Sequence, residues 1–272
     1  MVKSLKEKFE AFFYKGIVRK LIFSSKLGRR VMFGYADTGT SFDHIYKNEA
    51  KGYTKFGKIV DRVLLNLPAA KATRHRRNQI KKLLYVELAK NTKEGLKTRL
   101  VDIASGPARY LVEMASNEVS KNIEVLCLDA DLNSINYGRK LSAGKPFLYK
   151  KTNVLRLGSR HENLANQKGW RPNVAVSSGL IEYLDEQIAK QLLKYLYSFL
   201  DGNGLLLMIT QRASPNRNLI EQVGITQSGK KWILFYREPA VIVDWLTQIG
   251  FKNITFEVDP WKMYVYYRAR KQ

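Results

Sequence analysis

The stretch LVDIASGPARY, residues 100–110, decides how the rest of the chain is interpreted. A short apolar run is followed by a turn centred on Gly106 and then by the first residues of a helical pattern. This order predicts a strand, a tight turn and a helix at the carboxyl edge of a parallel α/β sheet, where such folds bind ligands. Gly106 has no Cβ, so the backbone can come close to a ligand at that point.

Two acidic residues lie near the ends of neighbouring apolar runs. Asp102 belongs to the first run, where its carboxylate either orients the amides of the loop or accepts a hydrogen bond from a ligand ammonium. Asp129 follows the next run, residues 123–128, and is well placed to accept hydrogen bonds from two ribose hydroxyls. Together the turn and the two carboxylates predict a cofactor that contains adenosine.

Composition excludes several classes of protein. The 272 residues are 45% hydrophobic, enough for a sizeable core, but no apolar run approaches the roughly 18 residues of a membrane span. Charged residues interrupt the apolar positions near the N-terminus, so no signal peptide is predicted. Cys127 is the only cysteine, which excludes a disulfide framework and fits a cytosolic protein with a buried, inert thiol.

The basic charge is unevenly distributed. Residues 1–99 contain 24 Lys and Arg against 8 Asp and Glu, which is +16 of the formal net charge of +23. Residues 2–23 also form a basic amphipathic pattern, which either packs on the domain that follows or lies on an anionic membrane surface. The charge therefore indicates either an anionic partner, such as a phospholipid or a nucleic acid, or a generally basic soluble protein.

The N-terminal third is predicted to be helical apart from residues 24–45, which look like a connection. A helix within residues 46–67 is predicted to point Ile59, Val60, Val63, Leu64 and Leu67 inward and to end at Pro68. Thr73 is expected to cap the next helix, which runs to about Lys90. These patterns predict an N-terminal basic helical extension over residues 1–72 and a second domain over residues 73–272.

Strands and helices alternate from residue 100 onward, which predicts a parallel sheet with right-handed crossovers. Asp131 and Asp185 are expected to cap two of the helices, and Gly250 to end a third. The last two apolar runs are too close together for a crossover, so they are predicted to form an antiparallel hairpin. The predicted strands are residues 123–128, 147–150, 173–177, 205–210, 254–258 and 263–268, after the first one at residue 100.

With these residues in view, the chain from about residue 73 resembles class I S-adenosylmethionine-dependent methyltransferases. The first motif of that family is matched by residues 101–106, and its ribose-binding acid by Asp129. Asn153 and Val154 stand where many members place an Asp beside the adenine. A closer resemblance is to a bacterial group of methyltransferases that share Gly106-Pro107-Ala108-Arg109-Tyr110, the loop Ser178-Gly179-Leu180 and a basic segment before the domain.

The resemblance implies a Rossmann-like, seven-stranded, mostly parallel sheet with a terminal antiparallel hairpin, and S-adenosylmethionine as the cofactor. A dinucleotide dehydrogenase is disfavoured because Pro107 and Ala108 stand in place of the glycines of its phosphate-binding turn. No metal is predicted, since the three histidines and one cysteine lack ligand spacing. The cofactor-binding residues implied are Asp102, Ala104, Ser105, Gly106, Asp129, Ala130, Asn153, Val154, Ser178 and Gly179.

Glu182 and Tyr183, after the fourth strand, are the expected catalytic residues. A carboxylate there can remove the acceptor's proton, and an aromatic ring can lie near a sulfonium. The residues Arg74-His75-Arg76-Arg77 form either a solvated basic face or a contact to the cofactor carboxylate or an anionic acceptor. The function expected is methyl transfer to a small-molecule or lipid-like acceptor by a cytoplasmic protein that is peripheral at the inner membrane surface. RNA methylation, or S-adenosylmethionine binding without catalysis, is the alternative.

Overall fold

The computed structural model describes residues 19–115, 121–157 and 170–272. The chain divides into two compact units. The first comprises the chain up to Arg74 together with Ser214–Ile233, and the second comprises His75–Ala213 and Leu234–Gln272. The sequence did not set residues 214–233 apart, and the domain boundary near residue 72 stays a prediction.

The second unit contains a seven-stranded sheet with the order β3-β2-β1-β4-β5-β7-β6. Strands β1 to β5 are parallel, whereas β7 runs antiparallel to both β5 and β6. The predicted fold, with its terminal antiparallel hairpin, is confirmed. The strands are β1 Thr98–Ile103, β2 Ile123–Asp129, β3 Phe147–Lys151, β4 Val174–Ser178, β5 Leu205–Gln211, β6 Lys252–Val258 and β7 Tyr264–Arg270.

The helices of the second unit begin and end at local signals that the sequence contains. Asp131 and Asp185 are the caps expected, since their carboxylates accept hydrogen bonds from backbone N–H groups of the turns that follow. Gly250 ends a helix with a φ of 111°. The helices are α6 Arg109–Met114, α7 Leu132–Leu141, α8 Glu186–Phe199 and α10 Pro239–Ile249, with short 3-10 helices at Val154–Arg156 and Ile181–Tyr183. The sequence pattern after the turn predicts a helix from Tyr110 to Ser120, of which residues 116–120 lie outside the described residues.

The apolar faces of the central strands and of α8 and α10 share one core. Phe199, Trp245 and Tyr267 are among its large aromatic members, and each is at least nine-tenths buried. The Cys127 thiol is fully buried in β2, as expected, and burial raises its pKa well above the ordinary value. The core therefore fixes the positions of the strand ends from which the candidate site is built.

The first unit is built from short helices. Its two chain segments are separated in sequence by residues 75–213, and they pack together. Ile22 and Met32 share a small core with Val223. The backbone N–H of Ile225 donates to the carbonyl of Val31 at 2.9 Å. The helices are α1 Arg19–Phe23, α2 Lys26–Met32, α3 Gly39–Lys47, α4 Lys55–Asn66, the start of α5 Pro68–Lys93, and α9 Arg217–Val223. Most of the amphipathic segment expected over residues 2–23 lies outside the described residues.

The prediction that residues 24–45 form a connection is wrong, because they contain α2 and α3. Ser25 and Thr38 suggested a linker, but each is an N-cap whose hydroxyl accepts a hydrogen bond from the first turn. Thr73 is not a cap, because α5 begins five residues earlier, at Pro68. Its hydroxyl donates to the carbonyl of Ala69, one turn back, at 2.8 Å.

The predicted inward face of α4 is only partly correct, because Val60, Leu64 and Leu67 are partly buried but the other two residues are exposed. Gly57, Asp61 and Leu65 are its buried residues. Ile59 and Val63, which were expected in the core, are 62% and 58% exposed. Hydrogen bonds that bury a carboxylate decide the orientation of this helix, and an apolar pattern does not reveal them.

Candidate active site

The predicted site residues lie at the carboxyl ends of four neighbouring strands of the second unit. Strands β3, β2, β1 and β4 are adjacent and parallel, so the loops that follow them emerge at the same edge of the sheet. All of the expected cofactor-binding and catalytic residues belong to these strand ends or to the loops directly after them.

The turn after β1 is held in a left-handed conformation by the end of β2. Ala104, Gly106 and Ala108 have φ values of 55°, 56° and 52°. The Gly106 N–H donates to Oδ2 of Asp129 at 2.7 Å, while Oδ1 of the same carboxylate accepts from the Asp131 N–H at 2.8 Å. Ser105 donates its N–H to the carbonyl of Leu128 at 3.0 Å. Asp129 thus shapes the turn, and because the Ala130 backbone also hydrogen-bonds it, roughly one of its four lone-pair sites remains for a ligand.

Asp102 is buried below this turn and makes a contact that neither sequence interpretation foresaw. It is 1% exposed, and its Oδ2 accepts from the Tyr110 hydroxyl at 2.5 Å. Burial raises the pKa of Asp102 to about 8, with the Asp129 charge adding to the rise and the Tyr110 hydrogen bond opposing it. Its position links β1 to α6, and it holds the helix that follows the turn.

The expected cofactor-binding residues that follow Asp129 and β3 divide between surface and core. Ala130 and Asn153 are exposed, beside the end of β2 and just after β3. Val154, in contrast, packs in the main core with 8% exposure. Thr152 donates its N–H to the carbonyl of Asp129 at 2.8 Å, which joins the loop after β3 to the end of β2.

The loop after β4 requires glycine at position 179. Gly179 has a φ of +81°, and a Cβ there would lie 2.7 Å from Nη1 of Arg76 and 3.7 Å from Oε1 of Glu182. The glycine therefore allows a guanidinium and a carboxylate to come close to the loop backbone. Ser178, one residue earlier, is partly buried at the strand end.

Glu182 is the chemically unusual group of the site. It is 2% exposed, and its Oε2 has no hydrogen-bond partner among the described residues. Burial raises the pKa of Glu182 to about 7, against the effect of backbone hydrogen bonds and of the Arg76 and Arg237 charges, which lower it. Near neutral pH this carboxyl group can both hold and release a proton. Tyr183, the other expected catalytic residue, packs partly against the core.

Three residues around Glu182 were missed by the sequence interpretation. Arg237 donates to the carbonyls of Ile181 and Leu184 at 2.9 and 2.5 Å, so it holds the loop that carries Glu182. Gln211, at the end of β5, hydrogen-bonds Glu182 through its backbone, and its buried Nε2 has no partner in the described part of the chain. The only sequence signal for Gln211 is its place at a strand end.

Arg76, the third of them, lies in the run Arg74-His75-Arg76-Arg77, and the interpretation of that run as a solvated basic face is wrong. Arg76 is 3% exposed, with its guanidinium 4.7 Å from the centre of the Tyr264 ring. His75 lies 3.3 Å from the Tyr266 hydroxyl, and Arg77 is paired with Glu113 at 3.5 Å. A basic run on a helix cannot show which of its members points into a neighbouring sheet.

The described residues also bear on metal binding and on membrane crossing. No group of three or more His, Cys, Asp or Glu side chains there could hold a metal ion. Nor does that part of the chain contain a helix whose length and apolarity would let it cross a membrane.

Comparison with known sequences places these observations in a family. The model of the family described as "Putative methyltransferase" matches residues 3–271. The curated protein "Uncharacterized protein YnbC" from Escherichia coli (strain K12) is 26% identical over 230 residues, or 84% of this chain. The chain spans 39% of the length of that relative.

Solved structures share the fold at low sequence identity. A protein from Bordetella parapertussis, described as a possible exported protein, is 16% identical with a TM-score of 0.69, and 99% of each chain is covered. Magnesium protoporphyrin IX methyltransferase from Synechocystis PCC 6803 with bound SAH is 13% identical with a TM-score of 0.52, covering 95% of this chain and 100% of that one. The N-methyltransferase NodS from Bradyrhizobium japonicum WM9, also with SAH, is 12% identical with a TM-score of 0.51, covering 86% and 98%.

Proposed function

This chain belongs to the family described as "Putative methyltransferase", and we propose that it transfers a methyl group from S-adenosylmethionine to a small-molecule or lipid-like acceptor. The family match and the seven-stranded sheet support the resemblance of the sequence to class I S-adenosylmethionine-dependent methyltransferases, and we propose that the protein is an enzyme of that class. The acceptor and the roles of individual residues are the proposed part.

The polar side chains at the strand ends fit an adenosyl cofactor. The Asp129 carboxylate accepts hydrogen bonds from the backbone of Gly106, Ala130 and Asp131, and of its roughly four lone-pair sites one remains for a ribose hydroxyl. The buried Oγ of Ser178, at the end of β4, has no partner among the described residues and can hydrogen-bond a ligand. S-adenosylmethionine, when bound, supplies an electrophilic methyl group on a sulfonium.

The single observation that carries the proposed chemistry is the buried carboxyl group of Glu182. An amine or hydroxyl acceptor must lose a proton when it gains a methyl group, and a base is most effective when its pKa is near the working pH. Glu182 meets this requirement with a pKa of about 7 and an oxygen free of hydrogen bonds within the described residues. We assign Glu182 as the general base, while a catalytic role for Tyr183 stays a prediction.

Calorimetry with S-adenosylhomocysteine tests the cofactor site. Asp129→Ala should weaken binding by about 10- to 150-fold, because a charge-assisted hydrogen bond contributes roughly 1.5–3 kcal/mol. Asp131→Ala is the matched control, since that carboxylate caps α7 two residues away and should leave the affinity unchanged. Equal affinities for the two variants would exclude Asp129 as a ligand, and no binding to the wild type would overturn the cofactor.

Methyl labelling of cell extracts tests the acceptor. We expect label from S-adenosylmethionine to enter the lipid or small-molecule fraction when the wild-type protein is added. Label confined to RNA would replace this acceptor class with the nucleic-acid alternative. Absence of label from every fraction would leave a binding protein without catalysis. Location in the cytoplasm, peripheral at the inner membrane surface, stays a prediction.

A further inference from the structure

Helix α4 turns a stripe of apolar side chains toward solvent. Phe56, Ile59 and Val63 are 53%, 62% and 58% exposed, and their spacing places them on one side of the helix. Tyr53, just before the helix, is 62% exposed. Scattered exposed apolar residues are normal, but a continuous stripe on one element indicates a surface that binds something.

A basic stripe runs beside the apolar one. Lys55, Lys58 and Arg62 are all exposed, and each precedes one residue of the apolar stripe. The only acidic residue of α4 is Asp61, which is fully buried. The outer surface of the helix therefore combines apolar and cationic side chains without a carboxylate.

The packing of the first unit fixes this orientation. Asp61 accepts from Ser25 Oγ at 2.5 Å, from the Leu27 N–H at 2.9 Å and from the Lys51 N–H at 2.7 Å. A Cβ on Gly57 would lie 2.2 Å from the carbonyl oxygen of Ser24, so the backbones are in close contact there. Rotating α4 to bury Ile59 would break these contacts, so exposure of the stripe is built into the fold.

We propose that the α4 face, defined as Tyr53, Phe56, Ile59 and Val63 with Lys55, Lys58 and Arg62, docks on an anionic lipid surface. The apolar side chains enter the boundary between headgroups and acyl chains, and the cations pair with lipid phosphates. RNA fits less well, because the aliphatic Ile59 and Val63 cannot stack on bases as aromatic rings do. The α4 face shares no residue with the methyl-transfer site, so the inference does not depend on the acceptor.

Cosedimentation of the full-length protein with vesicles tests the proposal. The wild type should bind phosphatidylglycerol vesicles at low salt, and phosphatidylcholine vesicles much more weakly. The variant Lys55→Gln/Lys58→Gln/Arg62→Gln should lose about 100-fold in partitioning, because each cation near an anionic surface contributes roughly fivefold. The variant Phe56→Ser/Ile59→Ser/Val63→Ser should lose at least about tenfold, since it removes the inserted groups.

The matched control replaces three equally exposed apolar residues of the second unit, Val86→Ser/Leu148→Ser/Phe256→Ser, and should bind vesicles as the wild type does. Thermal melts check that each variant is folded. If the triple apolar variant is unfolded, the single variant Ile59→Ser replaces it in the binding assay. The proposal is overturned if the wild-type protein does not bind anionic vesicles, whether or not it binds single-stranded RNA. Unchanged binding in both α4 variants, or an equal loss in the control, overturns it as well.

Discussion

Asp61 in the first unit and Glu182 in the second are both buried carboxyl groups, yet their surroundings give them opposite properties. Burial alone would raise the pKa of Asp61, but hydrogen bonds from His44, Ser25 and the backbone of Lys51 and Leu27 outweigh it and lower the pKa to about 2. For Glu182 burial dominates, and the pKa rises to about 7.

The difference teaches that the number of donors, and not depth, separates a structural carboxylate from a reactive one. The Asp61 carboxylate accepts hydrogen bonds from three donors within 3 Å, and two of them hold the start of α2. One oxygen of Glu182 has no protein donor in the described part of the chain, so its proton can be exchanged with a substrate.

The largest effect is expected from Glu182→Gln. The amide cannot accept a proton, so the rate of methyl transfer to the labelled fraction should fall by about 10²- to 10⁴-fold. Affinity for S-adenosylhomocysteine and the urea midpoint at pH 8 should not decrease, because a neutral amide is easier to bury than the charge it replaces. A variant that keeps wild-type turnover would remove Glu182 from the chemistry.

The pH profile of the same reaction sharpens the assignment. A base with a pKa of about 7 is charged above that value, so turnover by the wild type should rise with pH through about 7. The raised pKa also means that Glu182 favours folding least at high pH, so its contribution to stability falls between about pH 4.5 and pH 7. A rate of methyl transfer that does not change across pH 6–8, about one unit on either side of the pKa of Glu182, would contradict its role as the base.

Asp61→Asn should give the opposite pattern, a loss of stability of about 3 kcal/mol in urea denaturation at pH 7. In the wild type the donors share two carboxylate oxygens. In the variant they share one amide oxygen, and the NH₂ group, itself a donor, lies beside them. Because the folded pKa is lowered, the stabilisation is present above about pH 4 and is lost as the pH falls through about 2. The difference in the free energy of unfolding between wild type and variant should therefore become smaller in acid. A difference that does not depend on pH would show that the charge of Asp61 is not its cause.

The smallest effect concerns how the two units start their helices. In the first unit Ser25, Thr38 and Thr54 cap helices with their hydroxyls. Ala108, which precedes α6, makes no such bond and has a φ of 52°. Ala108→Gly should stabilise the protein by about 1 kcal/mol, because glycine adopts this conformation without strain. The same change at Ala115, where φ is −76°, is the control and should stabilise nothing in thermal melts.

The sequence by itself determined the architecture of the second unit. Runs such as 123–128 and 205–210 are apolar on both faces, which is a local property of buried parallel strands, and Asp129 could be placed at a strand end by counting. The hairpin followed from the short distance between the last two runs. Caps such as Asp131 are equally local, since donor and acceptor lie within three residues.

Only the tertiary structure decided which way α4 faces, that Arg76 is buried, that residues 214–233 join the first unit and that Glu182 titrates near neutrality. Each of these depends on partners that are remote in sequence, such as Ser25 for Asp61 and Gln211 for Glu182. A helix pattern states that one side is apolar, but burial and pKa are set by the sum of desolvation and donors from other elements, which no local pattern contains.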